Sequence, residues 1–384
     1  MTAVTNHLLE IKQFGQSIWM DNLTRDLIQS GDLKNLIETR GLRGLTSNPA
    51  IFEKAIAGNK IYDADIEAGI KAGKPLLEIY ESLIFDDIRN ACDIFRQVYD
   101  ESGGLDGYVS IEVPPDIAHS TERTIEEARR YYQQIGRENV MIKIPGTSAG
   151  LPAVEQVISE GINVNVTLLF SVQSYINTAW AYIRGLEKRV ENSHQDISKL
   201  ASVASFFLSR IDSNIDGKID AKTKAGVPEQ NVRARLEAIK GKVAIANAKI
   251  AYQEYKKIIQ DDRWKALSAK GANVQRLLWA STGTKNPNYS DVMYVDELVG
   301  PDTVNTLPPS TIEACADHCN VDNRLETGVE EAYTLIESLK DVDIDINLDE
   351  VMDELLTDGI EKFVQPYQSL MQSLQEKVDR LATV

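Results

Sequence analysis

Short apolar runs separated by amphipathic helical stretches recur along the whole chain, and this alternation restricts the fold more than any other feature. Strand-like runs fall at residues 17–22, 42–47, 108–113, 140–144, 162–168, 202–207, 277–280 and 303–307. Helical periods separate most of them. Residues 76–99 place Ile79, Leu83, Ile84, Ile88, Cys92, Phe95 and Val98 on one stripe with a period near 3.6. Gly103 and Gly104 then stop the helix. Residues 124–136 have Thr124 and Glu127 at capping-box spacing and a terminal glycine. Further helices are expected at 152–161, 171–192 and 232–259. Eight strands with interleaved helices predict an α/β fold, a closed (β/α)8 TIM barrel. An open doubly wound sheet would carry a glycine-rich phosphate fingerprint after the first strand, and none is present.

With 384 residues and 43% apolar side chains, the chain can bury a large core without cross-links. Its three cysteines, Cys92, Cys315 and Cys319, are too few and too odd for a disulfide framework and fit a reducing compartment. A net charge of −17 without a Lys/Arg run disfavours nucleic acid. The first sixteen residues lack the basic start and apolar core of a leader, and no apolar run reaches membrane-spanning length. The expectation is a cytoplasmic protein with no membrane partner. The expected assembly is a monomer or a homodimer, and the residues do not choose between them. Helices at 349–364 and 367–381 are read as a C-terminal extension (341–384) of one domain spanning 1–384. They either pack on the surface or form a flap over the barrel mouth.

Barrel active sites lie at the C-terminal ends of the strands. Polar residues are frequent there. The first run ends in Asp21, and the second runs into Ser47 and Asn48. The third carries Glu112 and the fourth Lys143. The fifth carries Asn163, Asn165 and Thr167, the sixth Ser205, and Ser281 follows the seventh. A lone Lys or Glu in a strand usually faces solvent or serves a structural ion pair. Here helices cover every strand outside, so polar groups on so many strands converge inside. Burial disfavours the charged form of Lys143, and a neutral amine attacks carbonyls to give imines. Glu112 and Asp21 are placed to move the protons such chemistry needs. None of the four histidines lies in these runs, which argues against a His-based metal site or a Ser–His pair.

These strings resemble the transaldolase family, in its longer subfamily of plants and bacteria. The resemblance rests on SIWMDNLTRDL, GLRGLTSNPAIFEKAI, YVSIEVPPDIAHST, NVMIKIPGTSAG, GINVNVTLLFS, ASVASFFLSRID, WASTGTKNPNYSD, TVNTLPPSTIEA and the tail DGIEKFVQPYQSLMQSL, nearly the whole chain. It implies a cofactor-free and metal-free transferase of the Schiff-base aldolase type. The implied reaction moves a dihydroxyacetone unit from sedoheptulose 7-phosphate to glyceraldehyde 3-phosphate, within the non-oxidative pentose phosphate pathway. By the same resemblance Lys143 forms the imine and Asp21 is the acid/base for C–C cleavage. Glu112 acts through a water that Thr167 helps to hold. Asn48 and Asn165 hold the substrate hydroxyls, and Ser205 lines the same pocket. Arg210 and Ser281 bind the phosphate. Shorter members follow that serine with Phe and Arg, whereas this chain has Thr282-Gly283-Thr284-Lys285, so Lys285 stands as the second phosphate cation. Tyr or Gln in place of Glu112 and Phe207 would favour a simple aldolase, and neither replacement is present.

Three further patterns are read as structural. Asp212, Asn214, Asp216 and Gly217 mimic the start of an EF-hand loop, but the twelfth position is Thr223. A polar loop after the sixth strand is expected instead. The alternating acids from Asp341 to Asp349 lack the glycine of such a turn and are read as an edge before a helix. Cys315, His318 and Cys319 lack a fourth zinc ligand.

Overall fold

The computed structural model describes residues 6–193, 196–226 and 229–382; residues 1–5, where the segment read for a leader begins, lie outside it. The strands are β1 (Gln16–Asp21), β2 (Gly44–Thr46), β3 (Val109–Glu112), β4 (Val140–Pro145), β5 (Val164–Leu169), β6 (Ser202–Phe207), β7 (Arg276–Ala280) and β8 (Thr303–Leu307). They pair in parallel in chain order, and β8 closes on β1 with Gln16 opposite Thr303. The barrel read from the sequence is the barrel observed. Every strand residue except Asp21 is buried. Helices outside and side chains inside leave no solvated face, so strands such as VMIKIP read as near-continuous apolar runs.

The N-terminal end of the barrel is plugged. Trp19 and Gly44 are register partners across β1 and β2. A Cβ at Gly44 would lie 2.5 Å from the indole, so only glycine leaves room for the ring. Beneath it Asp106 accepts hydrogen bonds from Ser17 Oγ at 2.8 Å and Trp19 Nε1 at 3.1 Å. The Arg276 guanidinium donates to the same carboxylate at 3.0 Å and to Ser17 Oγ at 2.8 Å. Burial opposes ionisation of Asp106, but Arg276, Ser17 and Trp19 together outweigh it and hold the carboxyl below its ordinary range.

The helices depart from the sequence expectations in informative ways. Leu76–Glu101 buries the expected stripe. The next helix spans Thr121–Ile135 and is capped by Ser120, whose side chain accepts from Arg123 N. Thr124 instead donates its hydroxyl back to Ser120 O at 2.7 Å, a bond internal to the helix rather than a cap. The expected helix over 232–259 is two, Gln230–Ile239 and Val243–Ile258. Lys240 is extended and Gly241 left-handed at the break. The EF-hand-like segment is not a loop: it lies within the helix Ser209–Gly226. Cys315 and Cys319 are joined by a disulfide, which the reading of the cysteines as fitting a reducing compartment did not expect. Cys315 lies in the helix Pro309–His318 and Cys319 caps it, with their Cα atoms 4.5 Å apart, within bridging range.

The two helices expected at the C-terminus are one, Leu348–Ala382, running through Pro366. An interior proline costs about 3 kcal/mol. Burial of Phe363 on one side and Leu370 and Leu374 on the other offsets this, since all three belong to the main apolar core. The helix packs against the segments after β2 and against β5. Lys377 ties its end to Asp63 at 2.6 Å. No helix among the described residues is long and apolar enough to cross a membrane.

Asp106→Ala would leave the Arg276 cation buried without its counter-charge. A loss of about 3–5 kcal/mol in urea unfolding is expected. A loss below about 1 kcal/mol would show that the plug is not a structural anchor.

Candidate active site

At the opposite end, the strand termini bring the polar side chains together. Lys143 on β4 is in register with Glu112 on β3 and Asn165 on β5. Its Nζ lies 3.5 Å from Glu112 Oε2 and donates to Ser47 O at 3.0 Å. Both Lys143 and Glu112 are buried. Apart from this ion pair, neither Glu112 oxygen accepts a hydrogen bond from the described residues. Burial lifts the Glu112 carboxyl to about 7; the neighbouring Lys143 opposes the rise, and Asp21 adds to it.

Asp21 ends β1 and accepts from Thr46 Oγ1 at 2.8 Å, which fixes one carboxylate oxygen. Asn165 is held from two sides. It donates to Ser110 Oγ at 3.1 Å and accepts from Ser205 Oγ at 2.6 Å. Asn48 caps the helix Pro49–Ile56 by accepting from Ile51 N at 3.0 Å. Thr167 Oγ1 has no hydrogen-bond partner among the described residues. Just beyond it, Leu168 has φ 62° and the pairing of β5 with β6 slips between Val166 and Leu169. Asn163 shares the alternation but not the site. It lies at the base, donating to Glu138 O at 2.8 Å and Val140 O at 3.2 Å.

A cavity of about 100 Å³ sits among these groups. Asp21, Asn48, Lys143, Thr167, Ser205, Arg210, Ser281 and Lys285 line it, with Thr46, Phe207, Thr306 and Phe363. Of the ten residues expected at the site, only Glu112 and Asn165 do not line it. They stand behind Lys143 and Ser205, in contact with them. Arg210 begins the helix after β6, with its guanidinium 5.1 Å from the Phe207 ring centroid and 6.0 Å from that of Phe363. Burial pulls it below its usual range, while Asp358, Glu112 and Asp21 oppose that. Ser281 has φ 56° and its hydroxyl lies 2.9 Å from that of Ser209. Lys285 is exposed at the rim.

Phe363, from the C-terminal helix, lines the cavity with its ring centroid 5.8 Å from Lys143 Nζ. Gly359, one turn earlier, allows the close approach: a Cβ there would lie 3.0 Å from Leu168 Cδ2. Sequence reasoning missed Phe363, Ser110 and Thr306 as site residues, and gave no role to Thr46 at the end of the second run. Ser110 was detectable, because it precedes Glu112 by two positions on the same strand. Phe363 carried no local signal, since an apolar residue on an amphipathic helix reads as core.

The family model described as Transaldolase/Fructose-6-phosphate aldolase matches residues 18–374. A protein named Transaldolase 2 from Nostoc sp. is 76% identical over 379 residues, covering 99% of each chain. A transaldolase from Trichodesmium erythraeum is 72% identical over 381 residues, 99% of this chain and all of its own. A transaldolase from Mycobacterium marinum is 43% identical over 384 residues and covers both chains fully.

The Glu112 environment predicts a titration. Its carboxyl band in infrared difference spectra should have a midpoint near pH 7 and vanish in Glu112→Gln. Lys143→Met should move the midpoint up, because the lysine charge favours the carboxylate. Between about pH 4.5 and 7 the folded protein holds a proton that the unfolded chain has released. Stability contributed by this group therefore falls as pH rises through that window, and Glu112→Gln should remove the slope. A midpoint near 4.5 in the wild-type protein would contradict the burial argument.

Proposed function

The chain belongs to the transaldolase/fructose-6-phosphate aldolase family, and on that premise we propose that it is a transaldolase working through an imine on Lys143. The observation that carries this reading is Lys143 3.5 Å from Glu112 inside the closed mouth of the barrel. The substrates are sugar phosphates: sedoheptulose 7-phosphate gives up a dihydroxyacetone unit, glyceraldehyde 3-phosphate accepts it, and erythrose 4-phosphate and fructose 6-phosphate result. The setting is the cytoplasm and the non-oxidative pentose phosphate pathway.

In this reading the Lys143 amine attacks the ketose carbonyl. Glu112, poised near neutrality by burial, passes protons through a water to form and dehydrate the carbinolamine, with Thr167 Oγ1 as the second anchor of that water. Asp21, with one oxygen fixed by Thr46, takes the hydroxyl proton as the C–C bond breaks. The protonated imine holds the carbanion, so the chain supplies its own electron sink. Asn48 and the Ser110–Asn165–Ser205 chain receive the hydroxyls of the three-carbon unit. Arg210 is the deep phosphate ligand, Ser281 donates beside it, and Lys285 adds a point charge at the rim. The helix Leu348–Ala382 serves as a lid of the same unit, with Phe363 excluding water from the intermediate.

Fructose 6-phosphate followed by borohydride should leave an adduct on Lys143, located by mass spectrometry, and Lys143→Ala should abolish both adduct and transfer. An adduct elsewhere overturns the assignment. Asp21→Asn should lower kcat by about 10²–10⁴-fold while still trapping the imine. Phe363→Ala should raise acceptor-independent release of dihydroxyacetone; an unchanged ratio of release to transfer would remove the shielding role.

A further inference from the structure

The wall of the cavity that carries Ser281 and Lys285 has no regular structure of its own. Residues 281–292 run as turns from the end of β7 to the short helix Met293–Glu297. Two aspartates hold this segment. Both lie on the helix Ser209–Gly226, one turn apart and on one face. Asp212 accepts from Tyr294 Oη at 2.7 Å and from Ala244 N at 2.9 Å. Asp216 accepts from Tyr289 Oη at 2.7 Å and from Gly241 N at 3.1 Å. The backbone bonds fix the carboxylates, and the carboxylates fix the tyrosines.

The chain of bonds continues to the cavity. Ser290, next to Tyr289, accepts through its carbonyl from Thr284 Oγ1 at 2.8 Å, and Thr284 adjoins Lys285. At the other end of the segment Ser281 meets Ser209, next to Arg210. The helix that presents Arg210 therefore also holds the loop that presents Ser281 and Lys285.

We propose that Tyr289 and Tyr294, through Asp216 and Asp212, are positioning residues that set the spacing between Arg210 and the Ser281–Lys285 loop, and so set affinity for the phosphate end of the substrate. This rests on the functional reading above. A hydroxyl bond to a buried carboxylate anchors a loop without touching the reacting carbons. Its loss should weaken phosphate binding and spare the imine chemistry.

The test uses full-length wild type, Tyr289→Phe and Tyr294→Phe, with Asp216→Asn as a second break in the same bond. KM and kcat are measured for fructose 6-phosphate with erythrose 4-phosphate as acceptor. Borohydride trapping of dihydroxyacetone on Lys143, which carries no phosphate, is run in parallel. The expected result is KM for the phosphorylated ketose raised about three- to tenfold, the size of one lost hydrogen bond of ordinary strength. kcat should stay within about twofold and trapping of dihydroxyacetone should be unchanged. Unchanged KM in both tyrosine variants, whatever their melting temperatures, would overturn the proposal. So would equal losses in phosphate-dependent turnover and dihydroxyacetone trapping, which would mark a general structural role. A wild type that neither traps nor transfers would instead overturn the functional reading and take this proposal with it.

Discussion

Everything at the mouth of this barrel depends on an amine and a carboxyl buried side by side with too few partners. Taking two charges out of water is costly, and the attraction between them repays it only when remaining lone pairs and protons are also satisfied. The barrel contains both outcomes. At the base, Asp106 and Arg276 are tied to Ser17, Trp19 and Leu105, and the carboxyl is held below its ordinary range. At the mouth, Glu112 has Lys143 Nζ at 3.5 Å and no other hydrogen bond from the described residues, and its carboxyl rises to about 7. One pair is saturated and inert. The other is left able to exchange protons at neutral pH. The distance along the strands between base and mouth separates stability from chemistry.

Two non-glycine residues with left-handed φ, Leu168 near the end of β5 and Ser281 just after β7, stand next to cavity-lining positions. At Leu168 the irregularity coincides with the slip in pairing between β5 and β6, and at Ser281 with the chain leaving β7. Leu168 is turned toward the C-terminal helix, where Gly359 makes room for it. Ser281 brings its hydroxyl to Ser209. Backbone strain at such positions persists because the surrounding packing over-determines it.

Much of this was legible in the sequence, for physical reasons. Strand positions followed from apolar runs that cannot be exposed. Lys143, Glu112 and Asp21 stood out because a charged residue inside such a run is rare unless it is used. The errors lie where tertiary contacts outweigh local preference. Pro366 predicts a helix end, yet core packing of Phe363, Leu370 and Leu374 carries one helix across it. Asp212 and Asp216 have the spacing of a cation loop, yet each finds a tyrosine and a backbone N–H from distant segments. Phe363 was invisible as a site residue because its role depends on where a helix from the far end of the chain comes to rest.

The seam between β1 and β8 has a consequence for how the protein is made. The first strand to be synthesised pairs on one side with the last, Gln16 against Thr303. Until β8 emerges, β1 and the strand that will receive it present open edges, the kind of surface on which nascent chains associate wrongly. The helix Leu348–Ala382 is made after β8, so it docks against β5 only once the last strand has emerged.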